Sequence, residues 1–286
     1  MRPWLYSILI LTLLLSACGK NEPAKTEYIE STPKVITIRE SLQMAIDGEH
    51  RSDKNRARDQ YRHPAATLEF FGVKPESTVV ELWPGSGWYS EILGPYLRDK
   101  GTFYAASFGN VKEPEYRGRL HNSLLNKFAT ATEVYGKPNV TTLNPPLQTL
   151  LAPSNTADFV LTFRNVHNWT KGEVDKKVFQ AAYQALKPGG VFGVVEHRAP
   201  EGRAVEDMMT SGYMTESYVI ELAESVGFKL AGKSEVNANP KDTAEHEKGV
   251  WTLPPSLRLK DVDRDKYLAI GESDRMTLKF VKPAKM

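Results

Sequence analysis

The sequence predicts an α/β fold: a mostly parallel sheet of seven strands, helices on both faces and the last strand antiparallel. Three observations predict it. Short β-branched apolar runs alternate with segments whose apolar residues recur at helical spacing. The first such pair, around residues 78–97, is joined by a small-residue turn, Trp83-Pro84-Gly85-Ser86-Gly87. The last stretch, residues 275–281, alternates apolar and polar as a half-covered strand does.

The chain has 286 residues, 41% of them hydrophobic, and a net charge of +2. That composition is globular, and the near-neutral charge gives no electrostatic case for nucleic acid. Residues 1–18 stand apart as a leader. Arg2 precedes an apolar run over 5–15, shorter than the roughly 20 residues that span a bilayer. It ends in Leu15-Ser16-Ala17-Cys18. Cys18 is the only cysteine, so no intramolecular disulfide forms. Residues 19–36 are polar and read as a flexible tether. Residues 37–286 form the folded domain, opening with a helical lid over 37–77.

Within the lid, a helix is expected over 37–47, stopped by Gly48. The charged stretch 51–61 reads as a solvated face. Pro64 suits the first position of a helix that Gly72 ends. Residues 78–82 form the first strand, and Trp88, Tyr89, Ile92, Leu93, Tyr96 and Leu97 mark the helix after it. Strands follow over 101–106 and 139–143, with a helix over 119–135 between them. Asn144-Pro145-Pro146-Leu147 is a turn. Residues 157–163 are a continuous apolar strand. Thr170-Lys171-Gly172-Glu173 has the pattern of a capping box before the next helix. Residues 186–190 stop that helix ahead of a strand over 191–195. A helix over 215–226 and a strand over 228–236 follow. Residues 237–274 are an insertion that carries Trp251, Pro254 and Pro255.

Strand, glycine turn, helix is the unit in which a nucleotide-like ligand lies against bare backbone N–H groups. In parallel sheets the ligand lies beyond the C-terminal strand ends. That places residues 81–89, 106–110, 164–169 and 196–198 on one rim.

Val79-Val80-Glu81-Leu82 with Gly85-Ser86-Gly87, Leu186-Lys187-Pro188-Gly189-Gly190, and Phe163-Arg164-Asn165-Val166 occur in that fold's order. With them the chain resembles a class I, Rossmann-like S-adenosylmethionine-dependent methyltransferase. More closely it resembles a bacterial group of predicted methyltransferases with a Trp-Pro-Gly-x-Gly-Trp-Tyr first motif. The resemblance covers roughly residues 51–282. It implies S-adenosylmethionine as cofactor, held by Glu81, Pro84, Gly85, Ser86, Gly87 and, at the end of the second strand, Ser107. Two features depart from the family pattern. Trp83 stands where a glycine is usual, a position whose positive φ Trp tolerates poorly. Ala105-Ala106-Ser107 stands where an acid usually binds the ribose.

The densest polar group is Arg164-Asn165-Val166-His167-Asn168-Trp169. His167 is the candidate base, with Asn165 and Arg164 beside it. Trp169, Glu196, His197, Tyr61 and His63 are candidate substrate contacts. The competing readings are a helix cap for His167, core for Trp169, a loop ion pair for Glu196-His197-Arg198 and a helix entry for Tyr61 and His63. His167, Glu196 and His197 have the right chemistry for three metal ligands, yet no metal-binding spacing supports them, and no metal is assigned. The segment ending at Cys18 resembles a bacterial lipobox. It implies lipidation of Cys18, a membrane anchor and an outer-membrane address facing the periplasm. The functional expectation is methyl transfer to a small or apolar acceptor. The alternative is a lipoprotein using a degenerate scaffold as a non-catalytic small-ligand-binding module.

Overall fold

The computed structural model describes residues 37–284. The leader, Cys18 and the tether lie outside the described residues. Seven strands, β1 (Thr78–Leu82), β2 (Thr102–Ser107), β3 (Asn139–Thr142), β4 (Ala157–Phe163), β5 (Leu186–His197), β6 (Lys229–Ser234) and β7 (Arg275–Val281), form one sheet. Their order is β3-β2-β1-β4-β5-β7-β6. Strands β1 to β5 pair in parallel, and β7 lies antiparallel between β5 and β6. The expected Rossmann-like sheet with an antiparallel last strand is thus the observed one. The order reverses between β1 and β4, which opens a crevice at their C-terminal ends.

Alternation along β1 shows how both faces are covered. Val80 and Leu82 join an apolar cluster with Val178, Phe179 and Val219, from the helices Asp175–Ala185 and Glu216–Val226. Val79 joins the opposite cluster with Leu68, Ile92 and Leu93. The helix Ile38–Asp47 starts at Thr37, whose hydroxyl accepts from Glu40 N at 3.1 Å while the Glu40 carboxylate returns to Thr37 N. Pro64 and Gly72 bound the helix Pro64–Phe71 as expected. No helix of the described residues is long and apolar enough to cross a membrane.

Some expectations are corrected. The helix over 119–135 is two, Glu115–Thr130 and Thr132–Tyr135, because Ala131 leaves the helical region. The capping box at 170–173 does not form. Thr170 and Lys171 close a short helix, Val166–Lys171, and Glu173 takes positive φ before the next helix begins at Asp175. Strand β5 runs back through Pro188-Gly189-Gly190, since Leu186 already pairs with Ala157. The stretch 51–61 is not wholly solvated. Arg51 is buried, and its two terminal nitrogens donate to Asp59 at 2.8 Å each. A bidentate carboxylate lets a guanidinium leave water.

Candidate active site

A cavity of about 300 Å³ sits beyond the C-terminal ends of β1 and β4. Its floor comes from Glu81, Leu82 and Trp83 at the end of β1, and from Phe163, Arg164 and Asn165 at the end of β4. Val250, Trp251, Pro254 and Pro255 of the insertion form one wall. Ligand pockets begin at about this size.

The turn after β1 is shaped for close backbone approach. Trp83, Gly85 and Gly87 all have positive φ, at 46°, 62° and 88°. Trp is expected to tolerate a positive φ poorly at the first of these positions. Trp83 nonetheless takes the left-handed conformation, because its side chain is fixed elsewhere. Its indole is buried, donates Nε1–H to Leu143 O at 2.8 Å, and packs on Phe108 and Trp169. That anchoring offsets a backbone cost on the order of 1–3 kcal/mol. A Cβ added at Gly85 would meet nothing within 4 Å, whereas one at Gly87 would strike Leu124 at 2.8 Å. Gly85 therefore keeps space open for a ligand, and Gly87 serves packing. The N–H groups of Gly85 and Ser86 make no backbone hydrogen bond among the described residues.

Glu81 closes β1 beneath this turn. It is buried and accepts from Ser90 Oγ at 2.6 Å. Burial pushes its carboxyl up to about 7, against the Ser90 hydrogen bond and the charge of Lys127.

On the opposite side, His167 lies on the helix Val166–Lys171 and lines the cavity. Its Nδ1 is 3.0 Å from Glu196 Oε1. Glu196 is fully buried at the end of β5 and also accepts from Val166 N at 2.6 Å and from His197 N at 2.9 Å. A carboxylate only accepts, so the Nδ1 proton faces Glu196 and the Nε2 lone pair is left for a substrate. Asn165 spends its amide protons on Leu82 O at 3.0 Å and Thr162 Oγ1 at 3.2 Å, bracing β4 against β1. His197 pairs with Ser273 Oγ at 2.5 Å. Burial, then His167 and the arginines 164, 275 and 62, hold its imidazole well below the usual range, so it is neutral.

His167, Glu196 and His197 do converge, with ligand atoms within 4.8 Å of one another. The same arginines that keep His197 neutral oppose a divalent cation there.

Arginines dominate the rest of the wall. Arg62, Arg164 and Arg275 line the cavity beside Glu272, with Glu81 on the floor. Glu272 is bonded by Arg58 Nε at 2.5 Å, Arg62 Nε at 3.2 Å and Arg275 Nη2 at 2.5 Å. Burial raises its carboxyl, but Arg62, Arg275, Arg164 and Arg58 outweigh it and hold it at about 2.

Other sequence candidates are placed away from the cavity. Ser107 is buried beside His121, whose Nδ1 is 3.1 Å from its hydroxyl. Ser86 is exposed at the tip of the turn. Trp169 is fully buried in the core, against Trp83 and Phe179. Tyr61 offers its carbonyl to Arg275 at 2.9 Å, and its ring lies on Gly271. His63 is exposed, with a φ of 39° between two short helices. Glu196 reaches the site only through His167. Of the rim expected beyond β2, Phe108 alone lines the cavity.

Sequence reasoning missed Glu272 and Arg275 as site residues and placed Arg62 only within the helical lid. Arg62 follows the charged run 51–61 that reads as solvated. Arg275 opened a strand, and Glu272 lay in the insertion. The alternation over 275–281 puts Arg275 with the polar residues of the strand, although both faces of β7 are largely buried in the structure, so no local signal marked it.

No family model and no curated protein matches this chain. Solved structures do. The [4+2]-cyclase SpnF overlaps 87% of this chain and 94% of its own at 13% identity, with a TM-score of 0.55. A protein assigned as a sarcosine dimethylglycine methyltransferase from Galdieria sulphuraria overlaps 81% of this chain and 86% of its own at 15% identity, with a TM-score of 0.52. At these identities the likeness establishes the fold, a Rossmann-like methyltransferase fold. One of the two is a cyclase, so the reaction has to be argued from the site.

Proposed function

We propose that this chain is an S-adenosylmethionine-dependent methyltransferase in which His167 removes a proton from the acceptor. The observation that carries the reading is a shared cavity. The open backbone turn at Gly85 and His167, held by Glu196, face the same space from the ends of the adjacent strands β1 and β4. Trp83, Phe108 and Leu120 supply an apolar wall for the adenine end. Glu81, partly ionised near neutral pH, suits a cationic amine. When bound, S-adenosylmethionine supplies an electrophilic methyl group that leaves its sulfur as a neutral thioether. His167 takes the acceptor proton on Nε2, and Glu196 stabilises the imidazolium that results. Asn165 keeps the β1 and β4 ends at fixed separation, so both partners stay in line. The ribose has no acid at the end of β2, and the Ser107 hydroxyl is already beside His121. Affinity in the micromolar range or weaker is therefore expected.

Calorimetric titration of the full chain in detergent with S-adenosylhomocysteine tests this reading. Binding at micromolar to sub-millimolar concentration supports it. No heat up to several millimolar removes it.

We also propose that lipidated Cys18 tethers the enzyme to the cell envelope. A donor must then be delivered there, since a charged sulfonium does not cross a bilayer freely.

A further inference from the structure

Four guanidinium groups, those of Arg58, Arg62, Arg164 and Arg275, share one carboxylate, Glu272. Glu272 is bonded by three of them and not by Arg164. The Arg164 side chain makes no hydrogen bond or ion pair with any described residue, and it lines the cavity. Arg62 is 2% exposed and lines the same wall, and its Nη2 has no partner. Arg58 Nη2 and Arg275 Nε are likewise buried and unpaired. A buried donor left unpaired is costly, and more so when it is charged. Burial and Arg275 lower the Arg164 guanidinium to about 10, the direction expected where cations outnumber anions. A ligand carboxylate beside Arg164 would offset part of that excess of positive charge.

The neighbouring surfaces indicate the rest of that ligand. Tyr89 stacks flat on Phe163, with centroids 3.5 Å apart, and both line the cavity. Trp88 lies beneath the Arg62 guanidinium at 4.5 Å, and Trp251 stands 5.9 Å from His167. Arg164 is three residues before His167 on the same strand-to-helix turn.

We propose that the methyl acceptor is a planar aromatic carboxylate, its anion held by Arg164 and the free edge of Arg62. This rests on the methyltransferase reading, because His167 defines the acceptor side of the cavity. A guanidinium fork matches a carboxylate in two parallel hydrogen bonds, which fixes the ring's direction as well as its charge.

The test uses the full chain in detergent, with benzoate, neutral benzamide, S-adenosylhomocysteine and carboxylate-free methylthioadenosine as calorimetric probes. Benzoate is expected to bind at least tenfold more tightly than benzamide. Arg164→Gln erases that preference and leaves both nucleoside affinities unchanged. The variant's melting temperature is expected to stay the same or rise, since like-charge repulsion is relieved. Equal binding of benzoate and benzamide, or a preference that survives Arg164→Gln, overturns the proposal. So does a variant that weakens S-adenosylhomocysteine but not methylthioadenosine, because the arginines then hold the cofactor's own carboxylate. Benzoate binding without binding of either nucleoside keeps the anion site and removes the methyltransferase reading.

Discussion

Glu196 and His167 act as one unit. One carboxylate oxygen lies 3.0 Å from the imidazole Nδ1, while the other accepts the N–H of Val166 at 2.6 Å. The second bond ties the carboxylate to the first residue of the helix that carries the histidine. The acid therefore fixes both the tautomer and the position of the ring. His167→Ala is expected to lower turnover by roughly 10²- to 10⁴-fold, the usual contribution of a general base, with cofactor affinity unchanged. Glu196→Gln is expected to lose nearly as much. An amide can donate to Nδ1 and so turn a protonated Nε2 toward the substrate. Steady-state kinetics beside cofactor titrations check both.

Glu81 gives the site a pH dependence with a definite sign. Its carboxyl is raised in the folded chain, from 4.5 to about 7, chiefly by burial. The folded state therefore holds this proton more tightly than the unfolded state. The stability it contributes is complete below pH 4.5 and is lost as pH rises through about 7, on the order of 3 kcal/mol in all. Glu81→Gln should unfold at higher denaturant than the parent at pH 8, and the difference should vanish near pH 4. Affinity for the cationic cofactor runs the other way. It should rise from pH 6 to pH 8 in the parent and stay flat in the variant.

Trp83 carries both a strained backbone and a buried side chain. Trp83→Ala removes the indole and its bond to Leu143 but keeps a Cβ at positive φ. A loss of about 3–5 kcal/mol is expected. Trp83→Gly removes more atoms yet relieves the backbone, so it should be no less stable than the alanine variant. Urea denaturation of the two variants measures the difference.

Cys18 predicts the address. Cells grown with labelled palmitate should incorporate label into the chain and retain it in the membrane fraction. Cys18→Ser should abolish the label and release the chain in soluble form. Label retained in the serine variant would contradict the anchor.

The fold was legible because its signals are local. Strand β4 and strand β7 match their expected bounds, since each is set by a continuous or alternating apolar pattern. Trp83 shows the limit of local rules. Propensity argues against positive φ, yet contacts with Leu143, Phe108 and Trp169 override it, and all three come from other parts of the chain. At the site, Glu81, Gly85 and His167 were legible from the turn after a strand. Of the arginine cluster, Arg164 alone was legible. Arg62 and Glu272 are 210 residues apart and meet only because β7 inserts between β5 and β6. A charged run looks the same in sequence whether its charges face water or one another.

As a methyltransferase, the chain would hold its cofactor on the Gly85 side of the cavity and its acceptor beside His167. A crystal structure of the chain with S-adenosylhomocysteine tests it most directly. Adenine is expected against Trp83 and Phe108, the methionine backbone over Gly85, and the sulfur facing the His167 Nε2. Nucleoside density elsewhere, or an unchanged cavity at saturating ligand, would contradict it.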